Sequence, residues 1–264
     1  MNTSKGVPET TEKRRFFARM FTDSRSHTLP YRILQPTVQP VNAKTEARQP
    51  NSERMPLVLL LHGSDERGDD NSAQLRNGVA ELLGSKTTAA RFPCFYLVPQ
   101  CSTEHRWVKV DWKADQHVLP LDLSVPLSAT VELVESLIGH HPIDPQRLYL
   151  IGLSMGGFGV WDLLSRWPER FAAAVPICGG ADETAAIAAR DVPIWAFHGA
   201  LDPVVHVERS RRTITALREA GGAPRYTEYP QVGHDAWTHA FAEPQLLPWL
   251  FAHRRATSAA RPQQ

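Results

Sequence analysis

Five runs of consecutive apolar residues punctuate the chain: Leu57–Leu61 (LVLLL), Cys94–Val98 (CFYLV), Leu148–Ile151 (LYLI), Ala172–Ile177 (AAAVPI) and Val192–Phe197 (VPIWAF). Each is too short for a helix and shows no alternation with polar residues, so each predicts a strand covered on both faces. Tyr31–Leu34 and Tyr226–Tyr229 read as further short strands. Between them the apolar spacing changes to that of helices. Leu127, Val131, Val134 and Ile138 recur along one helical face, with Gly139 where the helix could stop. Val207–Ala220 is a second such segment, closed by Gly221 and Gly222. The β-α-β-α order predicts a mostly parallel central sheet with helices on both faces and right-handed crossovers. Ligands of such sheets bind outside the carboxyl ends of the strands.

The segments without a period mark the edges of this pattern. Residues 1–12 and 254–264 are expected to be disordered, flanking one domain over 13–253. Pro40–Arg54 (PVNAKTEARQPNSER) reads as a long surface loop, because too little chain precedes it to form a core of its own. With 264 residues, 42% of them hydrophobic and 22% charged, one large core is affordable. A net charge of +1 supplies no broad field to gather phosphates, which argues against a nucleic-acid partner. No apolar run approaches the roughly 20 residues of a membrane span, and the N-terminus lacks the apolar stretch of a secretory signal. A cytoplasmic protein without a membrane partner is the expectation. Three cysteines with no C-x-x-C spacing give neither a disulfide framework nor a zinc site; buried free thiols are expected, with a Cys94–Cys101 pair in an oxidising compartment as the alternative.

Gly152-Leu153-Ser154-Met155-Gly156 is a G-x-S-x-G sequence with a predicted strand running in and apolar helical spacing (Val160, Leu163, Leu164) running out. That is the context of a nucleophile elbow, in which a serine sits in strained φ/ψ and glycines leave room for neighbouring backbone. A serine hydroxyl needs a base to take its proton, and histidine titrates in the right range. The chain order that goes with such an elbow is serine, acid, histidine. Asp202 follows the VPIWAF strand, and His234 follows Tyr226–Tyr229 within Val232-Gly233-His234-Asp235. Of the other histidines, His198 precedes the acid and is expected to brace the Asp202 loop by hydrogen bonding, and His239 is expected on the helix beyond. Asp182 and Asp191 precede the relevant strand, and Asp235 adjoins the histidine itself; all three read as solvated carboxylates.

The LVLLL strand ends in His62-Gly63-Ser64, where an oxyanion-binding loop belongs. The backbone N–H groups of Ser64 and Met155 are the expected donors, with Gly63 allowing close approach. The charged stretch Asp65, Glu66, Arg67, Asp69 and Asp70 reads as a solvated loop. Trp107 and Trp237 are candidates for the pocket wall, and Trp161 for the core. The connection between Ile177 and Val192 is too short for a large lid.

Taken together, LLLHGSDERGDDN, LVPQC, DPQRLYLIGLSMGGFGVWDL, VPICGGAD, VPIWAFHGALDPVV and YTEYPQVGHDAWTHAF resemble a bacterial esterase family of the α/β-hydrolase fold, phospholipase/carboxylesterase-like and similar to feruloyl-type esterases and polyhydroxyalkanoate depolymerases. The resemblance runs from about Leu57 to Phe251. It implies Ser154, Asp202 and His234 as a catalytic triad, a backbone oxyanion hole at Gly63–Ser64 and Met155, a small-molecule ester substrate, and neither metal nor organic cofactor. The expected reaction is ester hydrolysis through an acyl-enzyme. A peptidase using the same triad and a non-catalytic ligand-binding hydrolase fold are the competing readings.

Overall fold

A computed structural model describes residues 11–36 and 54–255. Most of the residues expected to be disordered at the two ends, and all of the Pro40–Arg54 loop but Arg54, lie outside the described residues. The strands are β1 (Phe17–Thr22), β2 (Thr28–Leu34), β3 (Met55–Leu61), β4 (Phe95–Pro99), β5 (Ile143–Leu153), β6 (Ala173–Ile177), β7 (Trp195–Gly199) and β8 (Arg225–Tyr229). The helices are α1 (Val79–Gly84), α2 (Lys86–Arg91), α3 (Val125–His140), α4 (Met155–Arg166), α5 (Glu183–Ala186), α6 (Glu208–Glu219), α7 (Ala236–Ala242) and α8 (Leu246–Ala252).

Side chains alternate across a strand, so a run that is apolar at every position needs cover on both sides. β3 meets that condition. Leu57, Leu59 and Leu61 face one core with α3 and α4, while Val58 and Leu60 face a second core with α1, α7 and α8. β5 divides in the same way, with Leu148 and Leu150 on the first side and Tyr149, Ile151 and Leu153 on the other. Each such side chain contributes roughly 1.5–3 kcal/mol by leaving water.

The strands form one sheet in the order β1-β2-β4-β3-β5-β6-β7-β8. β1–β2 and β2–β4 pair antiparallel, and every pairing from β4 through β3 to β8 is parallel. This is the mostly parallel α/β-hydrolase architecture implied by the sequence resemblance. β1 is absent from the sequence expectations for a physical reason: five of its six residues are exposed, so it carries no apolar signature. β5 begins five residues earlier than its apolar run, with the register against β3 shifting between Met55 and Leu57.

Helix ends follow local chemistry. Ser124 caps α3 by accepting from Leu127 N, with Pro126 in the first turn. α6 closes where Gly221 adopts φ +88° and Gly222 N donates to Leu217 O. The connection between β6 and β7 holds only α5 and a 3-10 turn, so no large lid rises there. The long irregular segment is instead residues 100–124, between β4 and α3. Trp107 Nε1 donates to His62 O, Leu119 N to Asp182 Oδ2 and Arg209 Nη1 to Ala114 O, so this segment is tied to the rest of the molecule at several points. Among the described residues no helix is long and apolar enough to cross a membrane.

Candidate active site

Ser154 occupies the turn between β5 and α4 at φ 53°, ψ −118°, a region that side chains rarely adopt. Its N–H donates to Ile177 O at 2.8 Å, which ties the turn to the end of β6. The glycines of the motif are sterically required. A Cβ on Gly156 would lie 1.9 Å from Leu61 O, and one on Gly152 would lie 2.3 Å from Gly156 O. Strand β3, strand β5 and helix α4 therefore pack backbone against backbone at Ser154.

The structure brings Ser154, His234 and Asp202 together from three strand ends. Ser154 Oγ lies 2.7 Å from His234 Nε2, and His234 Nδ1 lies 2.7 Å from Asp202 Oδ2. A carboxylate only accepts, so Nδ1 carries the hydrogen and Nε2 is left as the acceptor for the serine hydroxyl. Asp202 is closed off from solvent, while the His234 side chain keeps 20% exposure. Val204 N and Val205 N donate to Asp202 Oδ1 at 2.8 and 2.9 Å. Burial pushes the Asp202 carboxyl up, but hydrogen bonds from His198, His234 and Val205 outweigh it and hold the group well below the usual carboxylate range. The histidine loop itself fits only because Gly199 has no side chain: a Cβ there would sit 2.1 Å from Gly233 O.

On the other side of the turn, Gly63 faces Ser154 closely, since a Cβ on it would lie 3.6 Å from Ser154 Cβ. Ser64 opens a 3-10 turn and Met155 opens α4, so both backbone N–H groups sit in first turns that leave donors unused by the helix. His62, fully buried, holds this loop. Its Nε2 accepts from Cys101 N at 2.9 Å, which puts the hydrogen on Nδ1, 2.6 Å from Gly63 O. Burial pulls His62 down to about 4 against the opposing pull of that Gly63 bond, so the ring is neutral.

The remaining candidates divide. Trp237 packs edge-on against His234, with ring centroids 5.4 Å apart at 89°, and is partly exposed. Trp107 was expected in the pocket wall, but its ring has no exposure and its Nε1 donates to His62 O at 3.0 Å. It supports the His62–Ser64 loop. Trp161 is in the core as expected. Asp182 caps α5 and accepts from Leu119 N rather than standing free in solvent.

Three features escaped the sequence. Glu66 belongs to the charged stretch read as solvated, yet it is 2% exposed and takes Asn77 Nδ2 at 2.5 Å. The 3-10 turn at Ser64–Glu66 rotates this one carboxylate inward, and burial together with the nearby Asp65 charge raises its pKa. Cys178, at φ 49°, lies beside Asp202 and His234, with one donor atom of each within 4.8 Å of the others. Among the described residues this is the one trio able to hold a metal, but Asp202 and His234 are bonded to each other and burial holds Cys178 as the thiol. All three cysteines are free and buried. His198 does more than brace a loop: its ring reaches Asp202 itself.

Comparison with known proteins follows the same line. The family model described as esterase PHB depolymerase matches residues 47–217. A bifunctional acetylxylan esterase/xylanase of Neocallimastix patriciarum is 29% identical over 185 residues, 69% of this chain and 24% of that protein. The chain thus spans about a quarter of the length of that relative. A thermostable esterase of known structure superposes with a TM-score of 0.81 at 36% identity, over 92% of this chain and 64% of the other. A ferulic acid esterase shares the fold at 16% identity, with a TM-score of 0.64 over 90% of this chain and 98% of the other.

Proposed function

From the premise that the chain belongs to the esterase PHB depolymerase family, we propose that it is a serine carboxylesterase working through an acyl-enzyme. The observation that carries the reading is the continuous Ser154–His234–Asp202 hydrogen-bond chain, 2.7 Å at both links, at the head of a helix. Ser154 Oγ attacks the ester carbonyl while His234 Nε2 takes its proton. Asp202, ionised and out of solvent, stabilises the imidazolium that forms. The N–H groups of Ser64 and Met155 receive the developing oxyanion, where each donor is worth on the order of 3 kcal/mol of barrier. His234 then hands its proton to the leaving alcohol and activates the water that releases the acid. Trp237, packed against His234, is the wall residue placed to meet substrate.

The test is hydrolysis of p-nitrophenyl esters from acetate to decanoate, with acetylated and feruloylated sugars beside them because relatives carry those names. Turnover that disappears in Ser154→Ala, with its circular dichroism unchanged, supports the reading. Turnover retained by that variant sinks it. Labelling of Ser154 by a fluorophosphonate without turnover of any ester would move the reading to a peptide substrate.

A further inference from the structure

Asp202 Oδ2 serves two imidazoles. His234 Nδ1 lies 2.7 Å away and His198 Nε2 3.2 Å away. The same His198 nitrogen lies 2.9 Å from Val205 O. Both of its neighbours are oxygens that only accept, so Nε2 carries a hydrogen whatever the proton count of the ring. At the far end Nδ1 lies 2.7 Å from Ser210 Oγ, which in turn lies 3.3 Å from Gly179 O. A hydroxyl both donates and accepts, so Ser210 satisfies Nδ1 in either state and fixes the ring plane from α6. His198 and Ser210 are buried, leaving no water to replace a lost donor. One chain of polar contacts thus runs Ser154–His234–Asp202–His198–Ser210, with Gly179 O the alternative acceptor for the single Ser210 hydroxyl hydrogen.

We propose that His198 is a positioning residue of the triad, whose Nε2–H takes a share of the Asp202 Oδ2 charge and so sets how tightly Asp202 holds the His234 imidazolium. The proposal rests on the reading of Ser154, His234 and Asp202 given above. The two backbone donors occupy Oδ1 and fix the carboxylate plane; the two imidazoles divide Oδ2. With the His198 donor removed, the full charge of Oδ2 falls to His234, whose proton is then held more strongly. The other ionisable groups facing the cluster are Cys178 after β6 and Glu228 on β8. Glu228 is opposite His198 in the β7–β8 register and is paired with Arg211 at 2.5 Å. Both are the same in every variant compared below.

The experiment is kcat/KM against pH on p-nitrophenyl acetate for wild type, His198→Leu, His198→Gln and Ser210→Ala. His198→Leu is expected to move the acid limb to higher pH by about half a unit or more. His198→Gln, whose amide –NH2 falls near the position of Nε2, is expected to keep the wild-type limb. Ser210→Ala frees the far end of the ring and is expected to move the limb in the same direction by less. In proton NMR the downfield His234 Nδ1–H signal should shift in His198→Leu and return in His198→Gln, a readout that needs no turnover. A limb and a proton signal unchanged in both His198→Leu and Ser210→Ala, with only thermal stability lowered, would overturn the proposal. So would a shift as large in His198→Gln as in His198→Leu. If His198→Leu fails to fold, Ser210→Ala against His198→Gln decides the matter. Turnover surviving Ser154→Ala, by contrast, would sink the triad reading itself.

Discussion

At Ser154 the chain is held by backbone contacts that leave no space for a carbon atom; at Asp202 a side chain is held by donors arrayed around both of its oxygens. The first kind of restraint depends on volume and is indifferent to charge. The second depends on charge and hydrogen count and tolerates an isosteric change. Ser154 and Asp202 therefore fail under different insults, though the proposed reaction needs both.

Substitutions sharpen that contrast, beginning with the largest effect. Ser154→Ala should lower kcat on the order of 10⁶-fold, while its melting temperature stays at or above wild type. The strained φ/ψ belongs to the turn and not to the hydroxyl, so thermal unfolding beside a kinetic assay checks both halves. Asp202→Asn should cost about 10⁴-fold in kcat, because an amide –NH2 facing His234 favours the wrong tautomer. Its remaining oxygen can still accept from Val204 and Val205, so the loop should persist and denaturant unfolding should change little. Gly156→Ala should do the reverse. With Leu61 O only 1.9 Å from the new carbon, a loss of stability of about 3 kcal/mol or more is expected. A folded, active Gly156→Ala enzyme would break the contrast.

The His62 latch behind the Gly63–Ser64 loop lies between the two kinds, sterically enclosed yet proton-sensitive. Its folded pKa is depressed to about 4 from an ordinary 6.5, so below 6.5 the unfolded chain binds a proton that the folded chain refuses. Stability should therefore rise with pH between 4 and 6.5, and on acidification up to about 3 kcal/mol should be lost by pH 4. The Asp202 carboxylate, also depressed, adds its own loss only below the ordinary carboxylate range. Urea unfolding from pH 4 to 8 should show the His62 window flattened in His62→Gln.

The same physical division governs what the sequence could disclose. β3, β5, β6 and β7 are legible because both of their faces are covered, which forces apolar residues at consecutive positions. β1 is not, because its residues FARMFT face solvent and only its pairing with β2 makes it a strand. Ser154, Asp202 and His234 stood out because each follows a strand and the elbow fixes their order. Glu66 and Cys178 did not, since one is turned inward by a single 3-10 turn and the other reaches the site across neighbouring strands. Trp107 was misplaced for a related reason: its position on the 100–124 segment is set by bonds to His62 and Ser124, which no local pattern encodes.

The same segment bears on how much length the fold can absorb. The three residues of the hydrogen-bonded chain hang on the ends of β5, β7 and β8, whereas residues 100–124 leave the sheet from β4 and return to α3. Loop-closure entropy grows only logarithmically, so doubling such a connection costs about 0.6 kcal/mol. Added length between the anchors at Trp107, Ala114, Leu119 and Ser124 is thermodynamically cheap, whereas changes at those anchors loosen the His62 loop beside Ser154. The length of that segment is thus free to drift between its anchors while Ser154, Asp202 and His234 stay fixed on three strands.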